Sequence, residues 1–135
     1  MMPALRLPRA LADELLRLAR QCPSEEICGL ISGDADGLKR LYPIANIAAD
    51  RTRFFELDPK SQIEAMRDMR DRGEELSAIY HSHPHGPALP SAEDIARHAY
   101  PEAAYLIIAP AATDGKILRG FRIAAGGIDE LILAG

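Results

Sequence analysis

His81 and His83 stand two apart at the end of the run Leu76–His83, and Asp94 follows eleven residues after His83. Successive side chains of a strand alternate in direction, so both imidazoles point to one face and can grip a single metal ion. A carboxylate in the first turn of the next helix can close a three-ligand set and leave a fourth position to water, the pattern of a catalytic zinc centre. Structural zinc takes four protein ligands, commonly cysteines, and Cys22 and Cys28 are the two cysteines available. A metal-bound water with a lowered pKa, working beside a carboxylate, is the means by which such centres hydrolyse amides near neutral pH.

Simpler explanations exist for each piece taken alone. Ser91-x-x-Asp94 is nearly a capping box, which would start a helix without any metal. Neighbouring histidines are often surface residues, and it is the joint pattern that favours a metal. His85, in a Pro/Gly-rich loop, and His98, one helical turn beyond Asp94, rank second as ligands.

These residues need elements to carry them. Leu11, Leu15, Leu18 and Ala19 recur at helical spacing, and with Pro8 at the first helical position they predict a helix over residues 8–21. The apolar run 27–33, the Asp36-Gly37 step and the following LKRLYPIAN predict an antiparallel hairpin. A third strand is expected at 53–57, then a helix with Asp58 as N-cap, Pro59 in its first turn, Ile63, Met66 and Met69 or Arg70 marking its faces, and Gly73 as its stop. Residues 76–83 form a strand, 91–100 a short helix and 103–110 an apolar strand; Asp114-Gly115 then turns into a final pair of strands. The alternation predicts an α/β or α+β domain with a mixed central sheet flanked by helices.

At the chemical residues the chain resembles the JAMM, or MPN+, metallopeptidases. Their signature is an upstream Glu, then His-x-His, seven residues, and Ser-x-x-Asp. His81-Ser82-His83, the stretch Pro84–Pro90 and Ser91-Ala92-Glu93-Asp94 match it without a gap. The segment EEICGL is similar to the family's Glu-x-Cys-Gly-Leu, which aligns Glu26 rather than Glu25 with the catalytic Glu. The resemblance implies a deaminase-like α/β JAB/MPN fold, Zn2+ held by His81, His83 and Asp94, Glu26 as general acid/base, and Ser91 stabilising the oxyanion. Glu25 is then solvated surface. Alternation turns Ser82 to the opposite face in a structural role. Cys28 and Gly29 pack behind the site, where Gly29 lets the Glu26 strand lie close to the metal strand.

The compact members of this family act on ubiquitin-like sulfur-carrier proteins in bacteria, and the resemblance implies hydrolysis of the amide bond after a carrier's C-terminal Gly-Gly. Two other readings stand beside it. One keeps the zinc centre for a cell-wall, phage-tail or small-molecule amide; the other is a non-catalytic MPN interaction module, which the complete motif disfavours.

With 135 residues, 47% of them hydrophobic, the whole chain, 1–135, is expected to form a single domain able to bury a core without disulfides or structural metal. A net charge of -4 and the lack of a Lys/Arg cluster argue against nucleic acid. No apolar run suits a membrane span or a signal peptide, so a cytoplasmic protein with two free thiols is expected. A homodimer is compatible with an apolar sheet edge, and nothing in the sequence requires one.

Overall fold

A computed structural model describes residues 4–135. Its elements run β1 (Ala4–Arg6), α1 (Arg9–Gln21), β2 (Cys28–Asp34), β3 (Gly37–Ile44), α2 (Pro59–Asp71), β4 (Glu75–Ser82), α3 (Ala92–Arg97), β5 (Ala104–Ile108), β6 (Leu118–Ala124) and β7 (Gly127–Ala134). The seven strands form one mixed sheet in the order β1-β7-β6-β5-β4-β2-β3. β4 and β5 are parallel neighbours, as are β1 and β7, and the remaining pairs are antiparallel. The sheet curls until its two edge strands approach each other: a Cβ on Gly37 of β3 would lie 2.7 Å from the Cβ of Arg6 in β1.

Strand alternation sorts the apolar side chains into two cores, one on each face. On one face Ile31, Ala78, Tyr80, Leu106 and Ile108 pack with Leu15 and Ala19 of α1. On the other, Leu30, Ile79, Tyr105 and Ile107 pack with Ala65 and Met69 of α2. From Ala78 onward the even-numbered side chains of β4 face α1 and the odd-numbered ones α2, and His81 belongs to the second series; before that a register irregularity opposite Ile31 and Ser32 leaves Leu76 on the α2 side. A parallel pair needs a crossover connection. The β4–β5 crossover, which includes α3, carries the remainder of the motif past the carboxyl end of β4.

Several expectations are corrected. Pro8 is the N-cap of α1 and not its first helical residue, with its carbonyl accepting from the N–H groups of Leu11 and Ala12. Ile63 lies on the exposed side of α2; the buried face is Ala65 and Met69, with Met66 packed partly against it. Asp58 does cap α2 by accepting from the Ser61 N–H at 3.2 Å, and Gly73 takes the left-handed conformation just past the helix, with φ of 72°. α3 is shorter than 91–100, because His98 leaves helical geometry and Pro101 disfavours continuation through Tyr100.

No strand forms at 53–57. The Phe54 N–H turns back to the Asp50 carbonyl at 3.1 Å, and the Asn46 side chain takes the Phe54 carbonyl at 3.0 Å and the Glu56 N–H at 3.1 Å. One bridge, Asn46 to Leu57, survives. Among the described residues no helix is long and apolar enough to cross a membrane.

Gly29 of β2 faces Tyr80 of β4, and a Cβ there would stand 2.5 Å from the buried Tyr80 ring. Gly29→Ala is therefore expected to destabilise the protein by about 1–3 kcal/mol through overpacking, read as a lowered urea midpoint with unchanged slope.

Candidate functional site

The site is built where β4 ends. His81 and His83 project from the α2 side of the sheet, and the Ser82 side chain between them points the other way, its Oγ accepting the Ile27 N–H at 2.9 Å. That bond ties the end of β4 to the segment that leads from Glu26 into β2. Two more contacts anchor Glu26 itself: its N–H donates to the Arg51 carbonyl at 2.7 Å, and its carbonyl accepts from Asn46 Nδ2 at 2.9 Å. Glu26 is buried, whereas Glu25 is half-buried and paired with Arg51 at 3.2 Å. The polypeptide direction thus separates the two glutamates, with Glu25 half-buried in its ion pair and not fully solvated.

Three polar atoms converge. His81 Nε2 lies 2.9 Å from His83 Nε2, and each lies 3.2 Å from Asp94 Oδ2. Among the described residues, His81, His83 and Asp94 form a group able to hold a metal ion. Each is held by a different device. The Nδ1–H of His83 donates to the Pro87 carbonyl at 2.9 Å, which leaves Nε2 free to act as a ligand. His81 is fully buried, with Phe55 stacked on it at 4.5 Å between ring centroids and Tyr105 tilted against it at 5.2 Å. Asp94 is fixed by a complete capping box: the Ser91 N–H donates to Asp94 Oδ2 at 2.9 Å, and Ser91 Oγ accepts the Asp94 N–H at 3.0 Å.

The capping and ligand interpretations of Ser91 and Asp94 are therefore not rivals. The cap positions the carboxylate beside the two imidazoles, and the Ser91 hydroxyl, having accepted one bond, retains its own proton for donation. The two lower-ranked histidines stay outside the group. His85 is exposed in the loop after β4, and His98 packs edge-on against Tyr105 with ring centroids 5.3 Å apart.

Burial opposes charge throughout this region. It pushes the Glu26 carboxyl up to about 7, with the Asp94 charge adding to the rise and His83 opposing it. Burial also opposes the Asp94 carboxylate, yet the adjoining imidazoles of His81 and His83 and the Ser91 N–H outweigh it and hold Asp94 well below the usual carboxylate range. His81 is lowered by its burial against the pull of Asp94. One Glu26 oxygen, Oε1, is buried with no hydrogen-bond partner among the described residues. Behind the site, Cys28 donates weakly to the Ile44 carbonyl at 3.4 Å, and burial with the nearby Glu26 pushes its thiol up to about 12, which makes it an inert packing residue.

A cleft of about 500 Å³ opens over this centre, with Glu26, His83 and Ser91 in its lining. Its other walls come from Thr52 and Arg53 and from the loop Pro84–Pro90. Sequence reasoning missed Asn46, Phe55 and Pro87. Asn46 and the Pro87 carbonyl leave no signature in the sequence, and the paired aromatics Phe54-Phe55 were a signal mistaken for strand propensity.

Over residues 8–122 the chain matches the family described as prokaryotic homologs of the JAB domain. The chain belongs to that family. A protein named desampylase from Haloferax volcanii is 33% identical over 111 residues, covering 78% of each chain. The CysO-cysteine peptidase of Mycobacterium tuberculosis is 31% identical over 122 residues, covering 89% of this chain and 83% of its own. A solution structure of a protein from Desulfitobacterium hafniense superposes with a TM-score of 0.83 at 36% identity, covering 96% of this chain and 90% of that one. The protein is accordingly a hydrolase on a JAB/MPN fold, as the motif led us to expect.

Proposed function

We propose that this JAB-domain protein is a zinc peptidase that hydrolyses the amide bond after the C-terminal Gly-Gly of a ubiquitin-like sulfur-carrier protein. The observation that carries the reading is the convergence of His81, His83 and Asp94 beside the unpartnered Glu26 carboxyl oxygen. The names of the two relatives, one a desampylase and one a CysO-cysteine peptidase, support the choice of substrate class.

The donor set fits zinc. Ligand atoms about 2.0–2.2 Å from a tetrahedral zinc stand about 3.3–3.6 Å apart. The observed separations of 2.9, 3.2 and 3.2 Å need only a small expansion. Two imidazoles and one carboxylate leave a position open, and when bound the zinc would acidify a water there and polarise the scissile carbonyl.

The chain's own residues perform the rest. Glu26 accepts the proton released by the attacking water and passes it to the departing amine, the role of a positioned carboxylate beside the reacting groups. Its hydrogen-bond anchors on Arg51 and Asn46 hold the residue in place through the cycle. Ser91 donates a hydrogen bond from its hydroxyl to the carbonyl oxygen as negative charge develops there. Glycines on the acyl side of the scissile bond let the backbone of the tail approach a site recessed beneath the Pro84–Pro90 loop.

Ser91→Ala is expected to lower kcat about a hundredfold or more through the lost oxyanion donor. Loss of the cap should cost about 1 kcal/mol of stability as well. Steady-state kinetics beside a thermal melt and zinc analysis separates the two: a rate loss explained wholly by lost zinc would remove Ser91 from the chemistry.

The function itself is tested by intact mass spectrometry of a Gly-Gly carrier protein carrying extra C-terminal residues, incubated with zinc-loaded enzyme. The expected result is a chelator-sensitive mass loss after Gly-Gly, absent with Glu26→Gln. Zinc-loaded enzyme that leaves the carrier intact would overturn the substrate.

A further inference from the structure

The cleft over the metal-binding group contains a guanidinium that the chemistry above does not use. Arg53 lines that cleft together with Glu26, His83 and Ser91. Its neighbours in the sequence and in space are charge-compensated: Arg51 pairs with Glu25, and Arg97 pairs with Glu93. No carboxylate lies within ion-pair distance of Arg53 among the described residues. Asp50, close by in the same turn, spends Oδ1 on the N–H and hydroxyl of Thr52.

Arg53 is nevertheless held. Its guanidinium lies 5.5 Å from the centroid of the Phe54 ring, and that of Arg97 lies 5.9 Å from the same ring. Stacking on an aromatic face restrains a guanidinium without neutralising it and leaves its N–H fork available for a bidentate carboxylate. A scissile carbonyl held beside Ser91, His83 and Glu26 lies in the same cleft that Arg53 lines.

We propose that Arg53 binds the free α-carboxylate of a single residue joined beyond the carrier's Gly-Gly, so that the enzyme prefers a linear one-residue extension to an isopeptide-linked protein. The inference rests on the function proposed above and narrows it. In a one-residue extension the carboxylate hangs on the α-carbon next to the scissile nitrogen, whereas an isopeptide presents an uncharged alkyl chain there. The reaction is plain hydrolysis: the C–N bond breaks, the hydroxyl of water joins the terminal glycine carbonyl carbon, and its proton goes to the amine of the released amino acid.

The test uses zinc-loaded enzyme and one Gly-Gly carrier protein made with a C-terminal alanine as the free acid, the same alanine as its amide, and an isopeptide to a lysine side chain. The wild type should cleave the free acid with the highest kcat/KM. Arg53→Ala and Arg53→Gln should each lose roughly tenfold to a hundredfold on the acid, the range for a lost hydrogen bond to a charged group, and nothing on the amide. Unchanged zinc content and circular dichroism confirm that these exposed-site variants fold. Equal losses on acid and amide, or a wild type indifferent to the carboxylate, overturn the role of Arg53 and leave the peptidase intact. A wild type that cleaves none of the substrates overturns the function, and this inference with it.

Discussion

Replacing Glu26 by glutamine is expected to lower kcat by about 10²- to 10⁴-fold, the usual contribution of a positioned general acid/base, while zinc content stays at the wild-type level. The substitution preserves shape in a buried site where one carboxyl oxygen has no partner to lose. The backbone anchors to Arg51 and Asn46 do not involve the side chain and survive the change. Burial raises the Glu26 carboxyl to about 7, so its charged form carries a desolvation cost in the folded protein. Glutamine removes that cost, and with zinc removed by a chelator the variant should be at least as stable as the wild type at pH 8. The sign follows from linkage: a carboxyl whose folded pKa lies above its unfolded value destabilises the fold as pH rises through that range. A dead but equally or more stable enzyme is the signature of a residue kept for chemistry. Wild-type turnover by Glu26→Gln would remove Glu26 from the mechanism.

The second large effect separates the two histidines. His81→Ala and His83→Ala should both fall to background activity and lose stoichiometric zinc, because each deletes one of the three proposed ligands. Their stabilities without metal should differ. His81 is fully buried between Phe55 and Tyr105, so its truncation leaves a cavity and costs about 2–4 kcal/mol, the scale of large-to-small core changes. His83 lies at the edge of the cleft, and its truncation should cost much less. Zinc at about 100 times its Kd would stabilise the wild type by about 2.7 kcal/mol and neither variant. Thermal melts with zinc and with chelator read all of these values, and full zinc occupancy in either variant would discard the ligand assignment.

Much of this could be read from the chain because local spacing reports local geometry. Strand alternation put His81 and His83 on one face and Ser82 on the other, and β4 does so, with Ser82 bonded to the Ile27 N–H. The Ser91-x-x-Asp94 spacing marked a helix start, and the capping box is present. Where a sequence signal was ambiguous, tertiary contacts chose. The aromatic run at 53–57 has strand propensity, but its backbone bonds go to Asp50, the Asn46 side chain and the Ile47 N–H, and Phe55 instead covers His81. β1 has only three residues, too few to show a pattern, and it exists through its parallel pairing with β7 at the far end of the chain.

By itself the sequence supplied the candidate ligand types and their order, the strand and helix that carry them, and the distinction between Glu25 and Glu26. All of these depend on residue identity and on periodicities of two or a few residues, which a chain expresses locally. Only the tertiary structure decided that the Asn46 amide and Arg51 carbonyl anchor Glu26, that Pro87 fixes the tautomer of His83, and that Arg53 faces the same cleft as Ser91. Those contacts join segments with no shared spacing, and they arise because packing two cores against one curled sheet brings the loops at its end together.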